Sequence, residues 1–138
     1  MARIMAIDFG TKRTGLAVTD PLQIIPGGLA TVETKVLMDY LEKYFKTEPV
    51  ELVVIGEPVN HDGSETHATR PVAHFIEAFK KKFPQMPLTT ADERFTSKMA
   101  QRSMLEMGLS KKKRRNKALV DEIAATIILQ DYLASREF

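Results

Sequence analysis

The sequence predicts an α/β domain in which helices pack on a mixed sheet, and three observations carry that prediction. Near the start, three short apolar runs follow one another closely, separated by glycines and polar residues as hairpin strands are. Thereafter amphipathic stretches alternate with strand-like runs, the order that joins strands through helices. The stretch from about Asn116 to Leu133 is apolar on almost every side, which marks a buried helix. A length of 138 residues, with no linker, repeat or low-complexity segment, fits one domain spanning 1–138.

The elements follow in order. "RIMAID" (3–8) and "GLAVTD" (15–20) are the first two strands, with "FGTKRT" turning between them. "GGLATVE" (27–33) is a third, entered through Pro26, Gly27 and Gly28. Val36, Leu37, Tyr40, Leu41, Tyr44 and Phe45 recur at helical spacing. "VELVVIG" (50–56) is a buried strand, placed beside the first, and a long polar loop follows it from Glu57 to Pro71. Val72, Phe75, Ile76 and Phe79 line a second helix, and "PLTTAD" (87–92) is a fifth strand. A further helix, capped by Thr96 or Ser97, carries Met99, Ala100, Ser103, Met104 and Met107 inward and ends at Gly108.

Composition narrows the function. The chain is 43% hydrophobic and 28% charged, with no apolar run of the roughly 18 residues that a membrane helix needs. It has no cysteine, which excludes disulfides and thiolate metal sites. A cytoplasmic protein with no membrane partner is expected. The net charge of +2 is small, yet Lys111, Lys112, Lys113, Arg114, Arg115 and Lys117 form a dense block, and Lys80 to Lys82 a smaller one. Such runs are either solvated helix faces or phosphate-binding surfaces.

"AIDFGTKRTGLAVTD" (6–20) invites three readings. A protein kinase carries Asp-Phe-Gly far from its N-terminus and has other signatures that this chain lacks. An actin-like ATPase needs a second copy of its phosphate hairpin, and none is present, so that reading survives only as an ATP-binding fragment that needs a partner domain. The remaining reading is a metal-binding aspartate at the end of a first strand. Asp8 stands where a carboxylate needs compensation, either by capping the "DFGT" bend or by holding a metal at the sheet edge.

Other carboxylates share that situation. Asp121 heads a stripe with Ala125, Ile128 and Tyr132, where it also suits the positive end of a helix dipole. Glu122 lies in line with Leu129 and Leu133, and periodicity does not choose between the two. Asp92 and Glu93 close the fifth strand, and Glu57 closes the fourth. Carboxylates at strand ends, without cysteine or an ordered histidine set, suit a hard ion such as Mg2+ or Mn2+. Such ions can activate water and stabilise the leaving oxygen of a phosphodiester. His61, His67 and His74 have irregular spacing and read as surface residues.

Four stretches in this order resemble the YqgF family, also called RuvX, of ribonuclease H-like nucleases: "AIDFGTKRTGLAVTD", "VVIGEPVNHDGSE", "ADERFTS" and "KALVDEIAATIILQDYL". The resemblance covers almost the whole chain. It implies a ribonuclease H-like fold with a mixed five-stranded sheet, three strands antiparallel and two parallel. It implies three acidic site residues, Asp8, Glu93 and Asp121, as catalytic groups and metal ligands. Lys12, Arg13 and Arg94, with the block Lys111, Lys112, Lys113, Arg114, Arg115 and Lys117, would bind nucleic acid. One departure is Glu57, where many relatives carry an apolar residue. In RuvC resolvases the second acid comes from that strand, so Glu57 is a candidate to supplement or replace Glu93.

The family implies a metal-dependent nuclease maturing the 5′ end of pre-16S ribosomal RNA. The alternatives are a Holliday junction resolvase acting on four-way DNA, which requires a dimer, and a non-catalytic RNA-binding protein of ribosome assembly. The sequence fits a monomer or weak homodimer, with Phe45, Phe83 and the methionines available to an interface.

Overall fold

The computed structural model describes residues 2–57, 69–92 and 116–136. Strands β1 (Arg3–Asp8), β2 (Arg13–Thr19), β3 (Pro26–Glu33), β4 (Val50–Glu57) and β5 (Leu88–Asp92) form one sheet in the order β3-β2-β1-β4-β5. β1, β2 and β3 pair antiparallel, while β4 runs parallel to β1 and β5 parallel to β4. The expected mixed topology is thus present, with a 3-10 turn (Thr34–Val36) and helices α1 (Leu37–Thr47), α2 (Thr69–Lys82) and α3 (Lys117–Arg136). The expected helix after Thr96 lies outside the described residues.

Each face of the sheet has its own core, which strand alternation sorts residue by residue. Met5 and Ile7 of β1, Leu16 of β2 and Val53 and Ile55 of β4 face α1 and α2, meeting Leu37, Leu41, Val72, Phe75 and Phe79. Ile4, Ala6, Ala17 and Val54 face the other way, onto Ala125, Ile128, Leu129 and Leu133 of α3. Small residues on the sheet side of this second core let the helix approach closely. A second stripe of α3, Ala124 and Ile127, is also buried and packs with Val120 and Ile123. That explains why the helix is apolar beyond a single face.

Local chemistry fixes the ends. Asn116 caps α3, its Oδ1 accepting from the N–H groups of Ala118 at 3.0 Å and Leu119 at 3.3 Å. Thr31 of β3 donates to the Ala118 carbonyl at 2.6 Å, so the first turn of α3 is tied to the edge of the sheet.

Candidate active site

The site begins where β1 leaves the sheet. Asp8 continues the alternation of Ile4 and Ala6 and so belongs to the α3 face, while the following Phe9 packs into the opposite core, stacked on Phe75 at 4.8 Å. Asp8 pairs in register with Gly15 of β2. A Cβ at Gly15 would collide with the backbone carbonyl of Asp121. The glycine therefore admits the N-terminal part of α3 directly above the cross-strand partner of Asp8. The structure thus brings Asp8 and Asp121 to one corner of the α3 face.

The same geometry separates Asp121 from Glu122, which periodicity left equal. Glu122 lies farther along the edge, above Gly28, where a Cβ would stand 3.0 Å from its Oε1. Gly28 pairs with Ala17, not Gly15. Burial, and after it the charge of Glu122, pushes the Tyr40 phenol up.

Glu57 stands elsewhere. It shares the parity of Val53 and Ile55, the α1/α2 face, and is exposed at the end of β4. Alternation therefore turns Glu57 away from the face of Asp8 and Asp121. Glu93 lies outside the described residues, as do Arg94, Lys111, Lys112, Lys113, Arg114 and Arg115. Among the described residues no three acidic or histidine side chains stand close enough to hold a metal ion. His74 is exposed on α2, as expected, while His61 and His67 are not described.

Arg13 completes the described corner. It has the parity of Gly15 and Ala17, and its Nε donates to Asp121 Oδ2 at 3.1 Å. Burial, the largest effect, raises the Asp121 carboxyl above its ordinary value, against the opposing pull of Arg13 and Lys117. Lys12, beside Arg13, is exposed, and so is Lys117 at the start of α3. Arg13 and Lys117 therefore act on Asp121, and Lys12 emerges next to Arg13 at the same turn.

Two residues that the sequence did not single out build this corner. Thr34 Oγ1 donates to the Gly10 carbonyl at 2.5 Å and can accept from buried Thr14 at 2.9 Å, while its N–H donates to the Lys12 carbonyl at 2.9 Å. It straps the β1–β2 turn and so fixes where Lys12 and Arg13 emerge. Gly15 had a legible signal, since glycine inside a strand often marks a close backbone approach. Thr34 had none.

The family model described as "RuvX: Holliday junction resolvase" matches residues 2–135. The chain belongs to the RuvX family. A relative from Christiangramia forsetii, named "Putative pre-16S rRNA nuclease", is 58% identical over 133 residues, covering 96% of this chain and 98% of its own. Relatives of the same name from Porphyromonas gingivalis and Flavobacterium johnsoniae are 56% and 53% identical, covering 96% and 100% of this chain. They are covered over 96% and 100% of their own length. Among solved structures, Thermus thermophilus RuvC in complex with a Holliday junction substrate matches with a TM-score of 0.53 at 19% identity, covering 99% of this chain and 96% of that one. A second structure of Thermus thermophilus RuvC gives 0.51 at 18%, with 98% and 96% covered. At that identity the likeness shows the fold, which this RuvX chain shares.

Proposed function

We propose that this RuvX protein is a divalent-metal-dependent nuclease that hydrolyses phosphodiester bonds in the 5′ region of pre-16S ribosomal RNA. The observation that carries the reading is the placement of Asp8 and Asp121 on one face of the sheet, related through Gly15, with Arg13 and Lys117 acting on Asp121. Carboxylates here and basic residues around them suit an ion and a polyanion together. The names of the relatives support the RNA substrate.

The donor chemistry fits Mg2+ or Mn2+: two carboxylates on one face and no sulfur or imidazole beside them among the described residues. Asp8, Asp121 and Glu93 would hold the ion, Glu93 falling two positions after Ala91, a residue of the α3-face core. When bound, such an ion activates water and stabilises the leaving oxygen of the phosphodiester. Arg13 holds Asp121 by Nε and keeps its two terminal nitrogens for a backbone phosphate. Lys12 and Lys117, with Arg94, Lys111, Lys112, Lys113, Arg114 and Arg115, would hold the flanking phosphates. Attack by water leaves a 5′ phosphate and a 3′ hydroxyl.

The test is cleavage of an end-labelled precursor RNA spanning the 5′ boundary, run beside a four-way DNA junction with either metal ion. The reading predicts RNA cuts that require metal and vanish in Asp8→Asn. Cleavage of the junction alone would support the resolvase named in the family description. Binding of RNA without any cleavage would support an assembly protein.

A further inference from the structure

The turn that carries Lys12 and Arg13 to the candidate site lies beyond the β1–β2 ladder, whose last pair is Asp8 and Gly15. Gly10 lets this turn close on itself, since a Cβ there would collide with the Arg13 carbonyl. Thr34 holds it from outside. That residue follows Glu33, the register partner of Arg13, and opens the 3-10 turn that leads into α1. Its N–H donates to the Lys12 carbonyl at 2.9 Å, and its Oγ1 donates to the Gly10 carbonyl at 2.5 Å.

Those two bonds set a direction for a third. With its own proton committed to Gly10, the Thr34 hydroxyl accepts from Thr14 Oγ1, 2.9 Å away. Thr14 is buried at 0% exposure, where a hydroxyl without a partner is costly. A directed chain thus runs from the core, Thr14 to Thr34 to Gly10, and ends on the turn. The turn in turn carries exposed Lys12 and the Arg13 guanidinium, whose Nε is bound to Asp121 at 3.1 Å.

We infer that the Thr34 hydroxyl is a positioning residue for RNA binding: by holding the Gly10 carbonyl it sets the direction in which Lys12 and Arg13 meet substrate phosphates. It acts through those two side chains and not on the phosphate itself. The inference rests on the proposed reading, in which Lys12 and Arg13 contact the RNA backbone, and adds the residue that aims them.

RNA affinity and single-turnover cleavage, each measured beside the melting temperature, test the role. Thr34→Val leaves the buried Thr14 donor unpaired, so stability and function should fall together. Thr14→Val combined with Thr34→Val removes both hydroxyls at nearly constant shape, and replacing both partners of a buried bond is close to neutral. That pair should regain the wild-type melting temperature while cleavage stays about tenfold slow, since the turn remains unheld. Its RNA affinity should stay weakened as well. Thr34→Ser keeps the donor and should rescue affinity and rate. In a Lys12→Ala, Arg13→Ala background the two valines should change affinity less than about twofold, because the side chains they act through are gone.

Paired valines that regain affinity and rate along with the melting temperature overturn the inference, leaving Thr34 a strap for stability alone. So does an equal loss in both backgrounds, or a serine that rescues nothing. Where the paired valines stay unstable, the comparison of backgrounds decides. A wild type that binds RNA without cutting it removes the proposed reaction and leaves the decision to the affinity measurements. A wild type that binds no RNA overturns both.

Discussion

Arg13 and Asp121, 108 residues apart in sequence, meet through one hydrogen-bonded ion pair of 3.1 Å between Nε and Oδ2. The pair joins the strand after the first turn to the first turns of the last helix. Arg13 is 39% exposed and Asp121 23%, so the pair is half in water. Its contribution to stability is therefore small, about 0–1 kcal/mol. Its value lies in orientation, since it fixes one acid of the candidate site and aims a guanidinium at the same corner.

That distinction makes Arg13→Ala informative. We predict a change in melting temperature of a few degrees at most, with weaker RNA binding and a salt dependence of binding reduced by about one unit of slope. Arg13→Lys should recover the salt slope more fully than the cleavage rate, because an ammonium does not reproduce the Nε contact and the fork of terminal nitrogens. Filter binding across a salt series and single-turnover cleavage separate the two effects.

Gly15 and Gly28 predict opposite outcomes for one chemical change. At Gly15 an added methyl meets the Asp121 backbone, which cannot give way without moving α3. Gly15→Ala should cost about 1–3 kcal/mol or more by overpacking, and should displace Asp121 from Asp8. At Gly28 the nearest atom is the end of a flexible Glu122 side chain at 3.0 Å, so Gly28→Ala should stay within about 0.5 kcal/mol. Urea unfolding of the two variants reads the contrast directly.

Much of this corner was legible in the sequence. The apolar runs place β1, β2 and β4, and the placement of Asp8 at the end of a buried strand follows from them. The observed β2 starts at Arg13, two residues before the expected run, because its first positions are polar yet pair with Glu33 and Val32 of β3. Likewise α2 begins at Thr69 and not Val72, since its first turn lacks apolar residues. The parity that turns Glu57 away is a matter of register: one residue decides the face, and a run apolar on both faces conceals it. Helical periodicity does not separate Asp121 from Glu122; the family resemblance names Asp121, and Gly15 and Gly28 add the tertiary relation that sets the two apart.

Asp121 also carries a pH prediction. Its carboxyl is raised mainly by burial, so the folded protein holds its proton more tightly than the unfolded chain does. The resulting stabilisation is fully present below the ordinary aspartate pKa and is lost as pH rises through the raised folded value. At neutral pH the charged side chain therefore costs stability. Asp121→Asn should raise the melting temperature at neutral pH, with the advantage shrinking as pH falls through that window. The same substitution should abolish cleavage, so stability and activity move in opposite directions.

The most direct measurement is single-turnover cleavage of one precursor RNA by the wild type, Asp8→Asn, Asp121→Asn and Glu57→Gln in the presence of Mn2+. Metal stabilisation of a phosphoryl transition state is worth several kcal/mol, so loss of either proposed ligand should slow cleavage by roughly a hundredfold or more. Glu57→Gln, changed on the opposite face, should stay within a few-fold of the wild type. A fall with Glu57→Gln as deep as with Asp8→Asn, or retained activity in Asp121→Asn, would contradict a site built on the α3 face.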